Sequence, residues 1–194
     1  MSKNILIKNL ISKSIRLYEE HKLDILDIIL FGSLVKGKDN PNDIDILIIY
    51  KNKKDLEISY KLKKLLEKNS NIPIDIVSKT YFELFDPGFQ AKEAILSEGY
   101  SLLSKSTISE GLGYKNFVLF IYELRGKNKS ERMRFYYSLY GRNSVGMLKL
   151  LKAEKIADAV IICPTNNKEK MKEYLESWHL DFKEIPILIP KRLY

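Results

Sequence analysis

The sequence predicts two domains, an α/β domain followed by a smaller α+β domain. Three observations support this: strand-like and helix-like patterns alternate along the first half, a polar segment without periodicity follows, and the charge balance changes there. We expect the first domain over residues 1–104, a linker over 105–113 and the second domain over 114–194. A chain of 194 residues is long enough for two small hydrophobic cores.

The first half alternates helices with strands. A helix is expected where apolar residues recur every three or four positions, and a strand where β-branched residues dominate a short run. The expected helices are residues 1–21, 53–69, a short one over 81–85, and 89–99, and the expected strands are 26–31, 43–50, 72–78 and 100–104.

The second half is expected to begin with helices. Two aromatic-rich segments and the segment that follows them have the length and composition of helices, and a strand, a helix and a last strand come after. In chain order these are helices over 114–126, 130–141 and 144–154, a strand over 158–164, a helix over 167–179 and a strand over 184–190.

The charge of the chain is uneven. Its net charge is +8, and residues 1–103 hold 16 Lys/Arg and 15 Asp/Glu, whereas residues 104–194 hold 17 and 10. The excess favours an anionic partner for the second half, although solubility alone would also explain it. No membrane partner is expected, because no run approaches the roughly 18 apolar residues of a membrane span.

The setting is expected to be cytoplasmic. The N-terminal segment lacks the apolar core and cleavage site of a signal peptide. The single cysteine, Cys163, allows no intrachain disulfide, which agrees with a reducing compartment.

Asp43 and Asp45 lie two residues apart in an otherwise apolar strand pattern. Residues i and i+2 of a strand point to the same side, so the two carboxylates repel each other and lose hydration. Mg²⁺, which prefers oxygen ligands, would relieve this cost. Asp75 lies alone between Ile74 and Ile76 and would complete a three-carboxylate site if the two strands are neighbours. The alternative is that these aspartates lie at an exposed strand end.

A Gly-Ser pair, Gly32 and Ser33, directly follows the first expected strand. Glycine lets the backbone approach a ligand, and serine offers a hydroxyl and an N–H group. The pair is typical of a phosphate-binding turn if a helix begins there. Lys36 is either a further phosphate contact or an ordinary solvent-exposed loop lysine.

The segment "FGSLVKGKDNPNDIDILIIY", residues 31–50, resembles the signature of the nucleotidyltransferase superfamily typified by DNA polymerase β, and most closely that of the minimal nucleotidyltransferases. In that signature, Gly-Ser is followed after a spacer by Asp-x-Asp, and a third carboxylate lies on a later strand. The residues at these positions are Gly32, Ser33, Asp43, Asp45 and Asp75. The resemblance covers roughly residues 15–104.

The resemblance has three departures. The spacer between Ser33 and Asp43 is nine residues, one shorter than usual. Lys36 stands where the family often has arginine, and Asn42 stands where serine is common. None of these changes removes a carboxylate.

The resemblance implies a nucleotidyltransferase fold, with a small mixed sheet backed by helices, and transfer of AMP from ATP to a hydroxyl of a protein or RNA. Asp43 and Asp45 would hold Mg²⁺ on the nucleotide phosphates, while Asp75 would help to hold a second ion and assist deprotonation of the acceptor hydroxyl. Ser33 and Lys36, with the backbone at Gly32, would bind the phosphates of the pyrophosphate that leaves.

Residues 125–142 suggest nucleic-acid binding by the second domain. They hold six Lys/Arg and one Glu, interleaved with aromatic residues. Basic groups bind phosphates, and aromatic rings stack on unpaired bases. The candidate residues are Arg132, Arg134, Tyr137 and Arg142. The alternative is that the aromatic residues face the core and the basic residues form its solvated side.

Two further functions are left open. The chain could be a non-catalytic nucleic-acid-binding or antitoxin-like regulatory protein with a residual nucleotide pocket, or a toxin–antitoxin partner that acts by binding alone. The complete set of Asp43, Asp45 and Asp75 argues for catalysis, because a dead site has no reason to keep three carboxylates in apolar strands.

Overall fold

The computed structural model describes residues 3–35, 41–68, 72–142 and 144–193. The chain divides into two compact units, over residues 1–112 and 113–194. Each unit has its own sheet and its own core. Among the described residues, no helix combines the length and apolar character that crossing a membrane requires.

Within its described residues, the first unit contains four helices and five strands. The helices are α1 (Lys3–Glu20), α2 (Leu56–Glu67), α3 (Lys92–Glu98) and α4 (Ile108–Gly111). The strands are β1 (Ile25–Phe31), β2 (Ile44–Tyr50), β3 (Ile74–Thr80), β4 (Tyr100–Ser101) and β5 (Ser106–Thr107). A 3₁₀ turn over Phe82–Phe85 follows β3.

These five strands form one mixed sheet in the order β3-β2-β1-β4-β5. β2 and β3 are parallel, whereas the other neighbouring pairs are antiparallel. A parallel pair requires a crossover connection, and α2 supplies it. The expectation of a small mixed sheet backed by helices is therefore confirmed.

Both faces of β2 are buried. Ile46 and Ile48 pack in the cluster that also holds residues of α1 and α2. Leu47 and Ile49 pack on the other face, in the cluster that includes Ile95 of α3. A strand covered on both faces tends to be apolar along its length, which explains the unbroken run of isoleucine and leucine from Ile46 to Ile49.

α2 begins at Asp55, whose side chain caps the helix. Its carboxylate accepts hydrogen bonds from Glu57 N at 2.8 Å and Ile58 N at 3.3 Å. The helix then buries Ile58, Leu62 and Leu66 at helical spacing against the sheet. The cap at Asp55 therefore sets where the crossover helix α2 begins, and its apolar periodicity sets which face packs against the sheet.

Residues 105–113, which we expected to be a linker, contain β5 and α4. β5 pairs with β4, and Thr107 forms a capping box with Glu110 at the start of α4. These elements belong to the first unit. The polar composition of the segment arises from strand-edge and capping residues.

The second unit contains a four-stranded antiparallel sheet with helices on one face. Its elements in chain order are β6 (Tyr114–Tyr122), α5 (Lys129–Tyr140), α6 (Met147–Leu150), β7 (Glu154–Ala157), β8 (Val160–Pro164), α7 (Lys168–Ser177) and β9 (Phe182–Pro190). The strand order is β7-β8-β6-β9. Apart from the single turn α6, the sequence of elements is β-α-β-β-α-β, the ferredoxin-like arrangement.

The expectation of a helix over residues 114–126 is wrong, because this segment forms β6. Val118, Phe120 and Tyr122 alternate into the core, and β6 is paired on one side with β8 and on the other with β9. Aromatic and branched residues fit a central strand with two partners. The second unit therefore begins with a strand and not with helices. The α+β class assigned to it is confirmed.

The core of the second unit lies between the sheet and its two longer helices. Phe135 and Leu139 of α5 and Leu175 of α7 are fully buried there. Cys163 is also buried, and burial raises the pKa of its thiol to about 11. At neutral pH this thiol is protonated and serves as a core side chain.

Candidate active site

The three aspartates lie where β2 and β3 begin. Asp43 directly precedes β2 and is exposed, Asp45 is its second residue and is half-buried, and Asp75 is the second residue of β3 and is exposed. The sequence placed Asp43 inside the strand, but the structure places it just outside. Asp45 is therefore the carboxylate that loses most hydration on folding.

Strand register brings Asp45 beside Asp75. The two residues are direct partners in the parallel β2–β3 pair, and neighbouring strands are about 4.8 Å apart. Ile44 N donates to Pro73 O at 2.9 Å, which fixes this end of the pair. Partners in register point to the same side of a sheet, so the two carboxylates lie next to each other.

The electrostatics of Asp45 reflect these neighbours. Burial raises the pKa of the Asp45 carboxyl above its ordinary value, and the negative charges of Asp43 and Asp75 raise it further. Burial and these two neighbours thus disfavour the negative charge of Asp45. A cation at this end of the sheet would stabilise the ionised form of Asp45.

Gly32 lies against the carboxylate of Asp45. Its φ of +78° is in the left-handed region that favours glycine. A Cβ atom at this position would overlap Asp45 Oδ2 and would lie 2.9 Å from Asp45 Cγ. Glycine is therefore required both by the turn and by the close approach of its backbone to the site.

Ser33 follows in a turn over residues 33–35, and these residues do not form the helix that a phosphate-binding turn would favour. Its Oγ is buried and has no hydrogen-bond partner among the described residues. Leu34 is buried in the core and anchors the turn to the sheet. Lys36 lies outside the described residues, so its phosphate contact stays a prediction.

The donor set fits Mg²⁺. As the side chains stand, no group of three His, Cys, Asp or Glu residues in the described part of the chain is placed to hold a metal ion. Mg²⁺ usually binds through one or two carboxylates and completes its shell with water and substrate phosphates. Carboxylates that repel each other, two of them exposed, suit that mode of binding better than a closed protein cage.

Two concave pockets occur elsewhere in the described structure. One, of about 270 Å³, lies between α1 and α2, and the other, of about 440 Å³, lies beside α5. Neither is lined by Asp43, Asp45 or Asp75. Of the three aspartates, Asp43 and Asp75 have exposed side chains in the described part of the chain.

The nucleic-acid candidates of the second unit lie on and just after α5. Arg134 is exposed, and Arg132 Nε donates to Lys127 O at 2.9 Å. The guanidinium of Arg142 lies 4.6 Å from the centroid of the Tyr137 ring. One face of that ring is therefore already covered. Nucleic-acid binding by these residues stays a prediction.

The aromatic residues of α5 divide between core and surface. Phe135 is 1% exposed, Tyr136 is half-buried, and Tyr137 and Tyr140 are exposed. The alternative that these rings face the core thus holds for Phe135 and in part for Tyr136, which packs against the core cluster of the second unit. Sequence reasoning missed Tyr136, which lines the pocket beside α5. If Phe135 and Leu139 are assigned to the core, helical spacing places Tyr136 at the edge of the core, near the surface where the pocket lies.

Part of this chain is similar to chains of solved toxin–antitoxin structures. A chain of the tri-AMPylated Shewanella oneidensis HEPN toxin in complex with MNT antitoxin is 20% identical over 55% of this chain and 78% of that chain, with a TM-score of 0.37. A chain of a toxin–antitoxin complex with AMP-PNP is 24% identical over 47% and 71%, with a TM-score of 0.37. A mutant MntA–HpeT toxin–antitoxin chain is 22% identical over the same shares, also with a TM-score of 0.37.

No curated protein matches the chain significantly. The family model described as polymerase beta, nucleotidyltransferase, matches residues 5–108, which is more than half of the chain. This range contains β1 to β3, the turn at Gly32 and all three aspartates. The chain therefore belongs to the polymerase β nucleotidyltransferase family.

Proposed function

We propose that the first unit transfers a nucleotidyl group, with AMP from ATP as the first candidate, to a hydroxyl of a macromolecule. The observation that carries this is the pairing of Asp45 with Asp75 in adjacent strands, with Asp43 close enough to act on Asp45. Gly32 brings the backbone of the preceding turn against the same carboxylate.

Asp43 and Asp45 are the residues that would hold Mg²⁺, and Asp75 would help to hold a second ion. When bound, two such ions would neutralise phosphate charge and stabilise the attacking and leaving oxygens of an in-line displacement. The raised pKa of Asp45 supports this assignment, since burial and its two carboxylate neighbours disfavour its charge when no cation is near.

The chain's own residues would position the two substrates. The turn at Gly32 allows backbone N–H groups to approach the triphosphate, and Ser33 offers a hydroxyl to it. The acceptor oxygen forms a bond to the α-phosphorus while the bond from that phosphorus to the bridging oxygen breaks. Pyrophosphate leaves with the electron pair, and Asp75 assists removal of the hydroxyl proton.

The exposure of Asp43 and Asp75 supports a macromolecular acceptor. Sites for small molecules are usually concave and enclose most of their ligand. Both of these carboxylates are exposed in the described part of the chain. A protein side chain or an RNA end can approach exposed carboxylates.

The test is transfer of label from each of the four α-labelled NTPs, with Mg²⁺, to separate protein and RNA fractions. We expect label from ATP in one fraction, and that fraction identifies the acceptor class. Asp45→Asn should abolish transfer. Asp27→Asn is a matched control. Asp45 pairs with Phe31 of β1, and Asp27 lies four residues before Phe31 on the same strand, about 13 Å from the site.

Thermal unfolding separates this proposal from a non-catalytic role. ATP and Mg²⁺ together should raise the melting temperature more than either alone, because the ion is shared between carboxylates and phosphates. Synergy without transfer to any fraction would indicate a regulatory protein with a residual nucleotide pocket. Near wild-type transfer by Asp45→Asn would overturn the site assignment.

A further inference from the structure

The pocket beside α5 is basic and has an aromatic wall. It has a volume of about 440 Å³ and is lined by Lys127, Lys129, Arg132, Met133 and Tyr136. Three of these five side chains are cationic and none is acidic. Its volume lies within the range of ligand-binding pockets.

The cations of this pocket are not neutralised by their surroundings. Among the described residues, no acidic side chain forms an ion pair with Lys127, Lys129 or Arg132. Glu131, the acidic residue of α5, instead accepts a hydrogen bond from Asn128 N at 2.8 Å as part of a capping box. The helix cap thus directs its carboxylate to the backbone.

The local backbone also positions one of the cations. Arg132 Nε donates to Lys127 O at 2.9 Å, which holds the guanidinium beside the loop that enters α5. The remaining N–H groups of an arginine are donors suited to phosphate oxygens. Arg132 therefore presents a fixed phosphate-binding group next to Lys127 and Lys129.

Tyr136 supplies a ring that is held in place by its neighbours. Lys155 Nζ lies 5.4 Å from the centroid of this ring, and the ring of Tyr140 lies 6.2 Å away. The charge of Lys155 is paired with Asp158 at 2.9 Å. Lys155 thus supports the aromatic wall, while the charges that face the pocket are those of Lys127, Lys129 and Arg132.

We infer that this pocket binds single-stranded nucleic acid, with a base against Tyr136 and Met133 and neighbouring phosphates on Lys127, Lys129 and Arg132. Stacking requires an unpaired base, so a single strand is favoured over a duplex. Tyr137 does not line this pocket, so Tyr136 is the ring to which stacking is assigned. This inference does not rest on the proposed transfer reaction, because binding is measured without nucleotide or Mg²⁺.

The test uses the full chain and fluorescence anisotropy with labelled oligo-U, oligo-dT and a duplex of equal length, over a range of salt concentrations. We expect both single strands to bind more tightly than the duplex, with affinity falling steeply as salt increases. The comparison of oligo-U with oligo-dT shows whether RNA or DNA is preferred.

Charge removal tests the cations. The double variant Lys129→Gln with Arg132→Gln should lower the salt slope of single-strand binding by about 1.4, at about 0.7 for each lost phosphate contact. The control is Lys170→Gln with Lys183→Gln, which removes two exposed charges elsewhere in the second unit. An equal loss in the control would overturn the assignment of the pocket.

Ring removal tests the stacking wall. Tyr136→Leu should weaken single-strand binding about fivefold or more, whereas Tyr136→Phe, which also lacks the hydroxyl but keeps the ring, should bind nearly as the parent does. Thermal melting of both variants verifies that they are folded. If no oligonucleotide binds at 50 mM salt, the inference is wrong, and an acidic protein surface becomes the partner chemistry for these cations.

Discussion

At the scale of single residues, Gly32 connects the turn after β1 with the candidate site. Its positive φ and the absence of a side chain allow the backbone to lie against Asp45. Most residues could not occupy this position without moving that carboxylate. Glycine is therefore required at position 32 by the geometry of the site as well as by the turn.

Gly32→Ala should destabilise the chain and abolish transfer, because its Cβ would overlap Asp45 Oδ2. Gly126→Ala is the control: its φ is +79°, but a Cβ there has open space around it. Backbone strain alone costs about 1–2 kcal/mol, so urea unfolding should show a larger loss for Gly32→Ala. Equal losses would show that the contact with Asp45 is unimportant.

Asp27, on β1, is a second partly buried carboxylate. Burial raises its pKa above the ordinary value of 3.8, while hydrogen bonds from Ser101 Oγ and Ile28 N partly oppose this. The folded state therefore retains this proton to higher pH than the unfolded chain. The free energy of unfolding then decreases as pH rises from 3.8 through the raised value.

Asp27→Asn should accordingly be more stable than the parent at pH 7, because asparagine stays neutral and its oxygen can accept the same hydrogen bonds. The difference in stability should vanish well below pH 3.8, where the carboxyl of the parent is also neutral. Melting temperatures measured across this pH range test the prediction. Asp24→Asn, at an exposed position, should change stability little. A less stable Asp27→Asn at pH 7 would show that the hydrogen bonds outweigh the burial cost.

At the scale of elements, β6 shows how pairing partners override a local pattern. Its residues were compatible with an amphipathic helix, but β8 and β9 pair with it along both edges. The alternation of Val118, Phe120 and Tyr122 into the core then determines which side chains are buried. Short apolar runs cannot be assigned to helix or strand by periodicity alone.

Phe120→Ala should lower the free energy of unfolding by about 3–5 kcal/mol, because Phe120 is fully buried at the centre of β6. Ile121→Ala is the matched control on the opposite face, where the side chain is 36% exposed, and its effect should be clearly smaller. Denaturant unfolding of the full chain measures both. Similar losses would contradict the strand alternation.

At the scale of the whole molecule, the described cores are separate. The second unit has a cluster built from its own strands and helices, and Lys191 N donates to Gly113 O at 2.8 Å, joining its two ends. A fragment of residues 113–194 should therefore fold alone and melt cooperatively. Circular dichroism and the amide dispersion of its NMR spectrum test this. A disordered fragment would show that the second unit depends on the first.

The candidate site was predictable from sequence to a large extent because its chemistry is local. Gly32 and Ser33, Asp43 and Asp45, and Asp75 are recognisable by residue type and spacing. The pairing of Asp45 with Asp75 could not be derived from them, since it depends on the register of β2 and β3. The exposure of Asp43 was left open by the sequence, which allowed either a buried strand position or an exposed strand end, and the structure places it just before β2 and exposed.

By itself, the sequence determined the helices and strands of the first unit as far as β4, the class of its sheet and the family to which it belongs, but not β5 and α4, which lie where a linker was expected. These follow from periodicity, capping and a short motif, all of which act between residues close in the chain. Only the tertiary structure decided that residues 114–122 form a central strand, that Gly32 contacts Asp45, and that Tyr136 and not Tyr137 lines the basic pocket. Each of these depends on contacts between segments distant in sequence, and such contacts are set by strand pairing and packing.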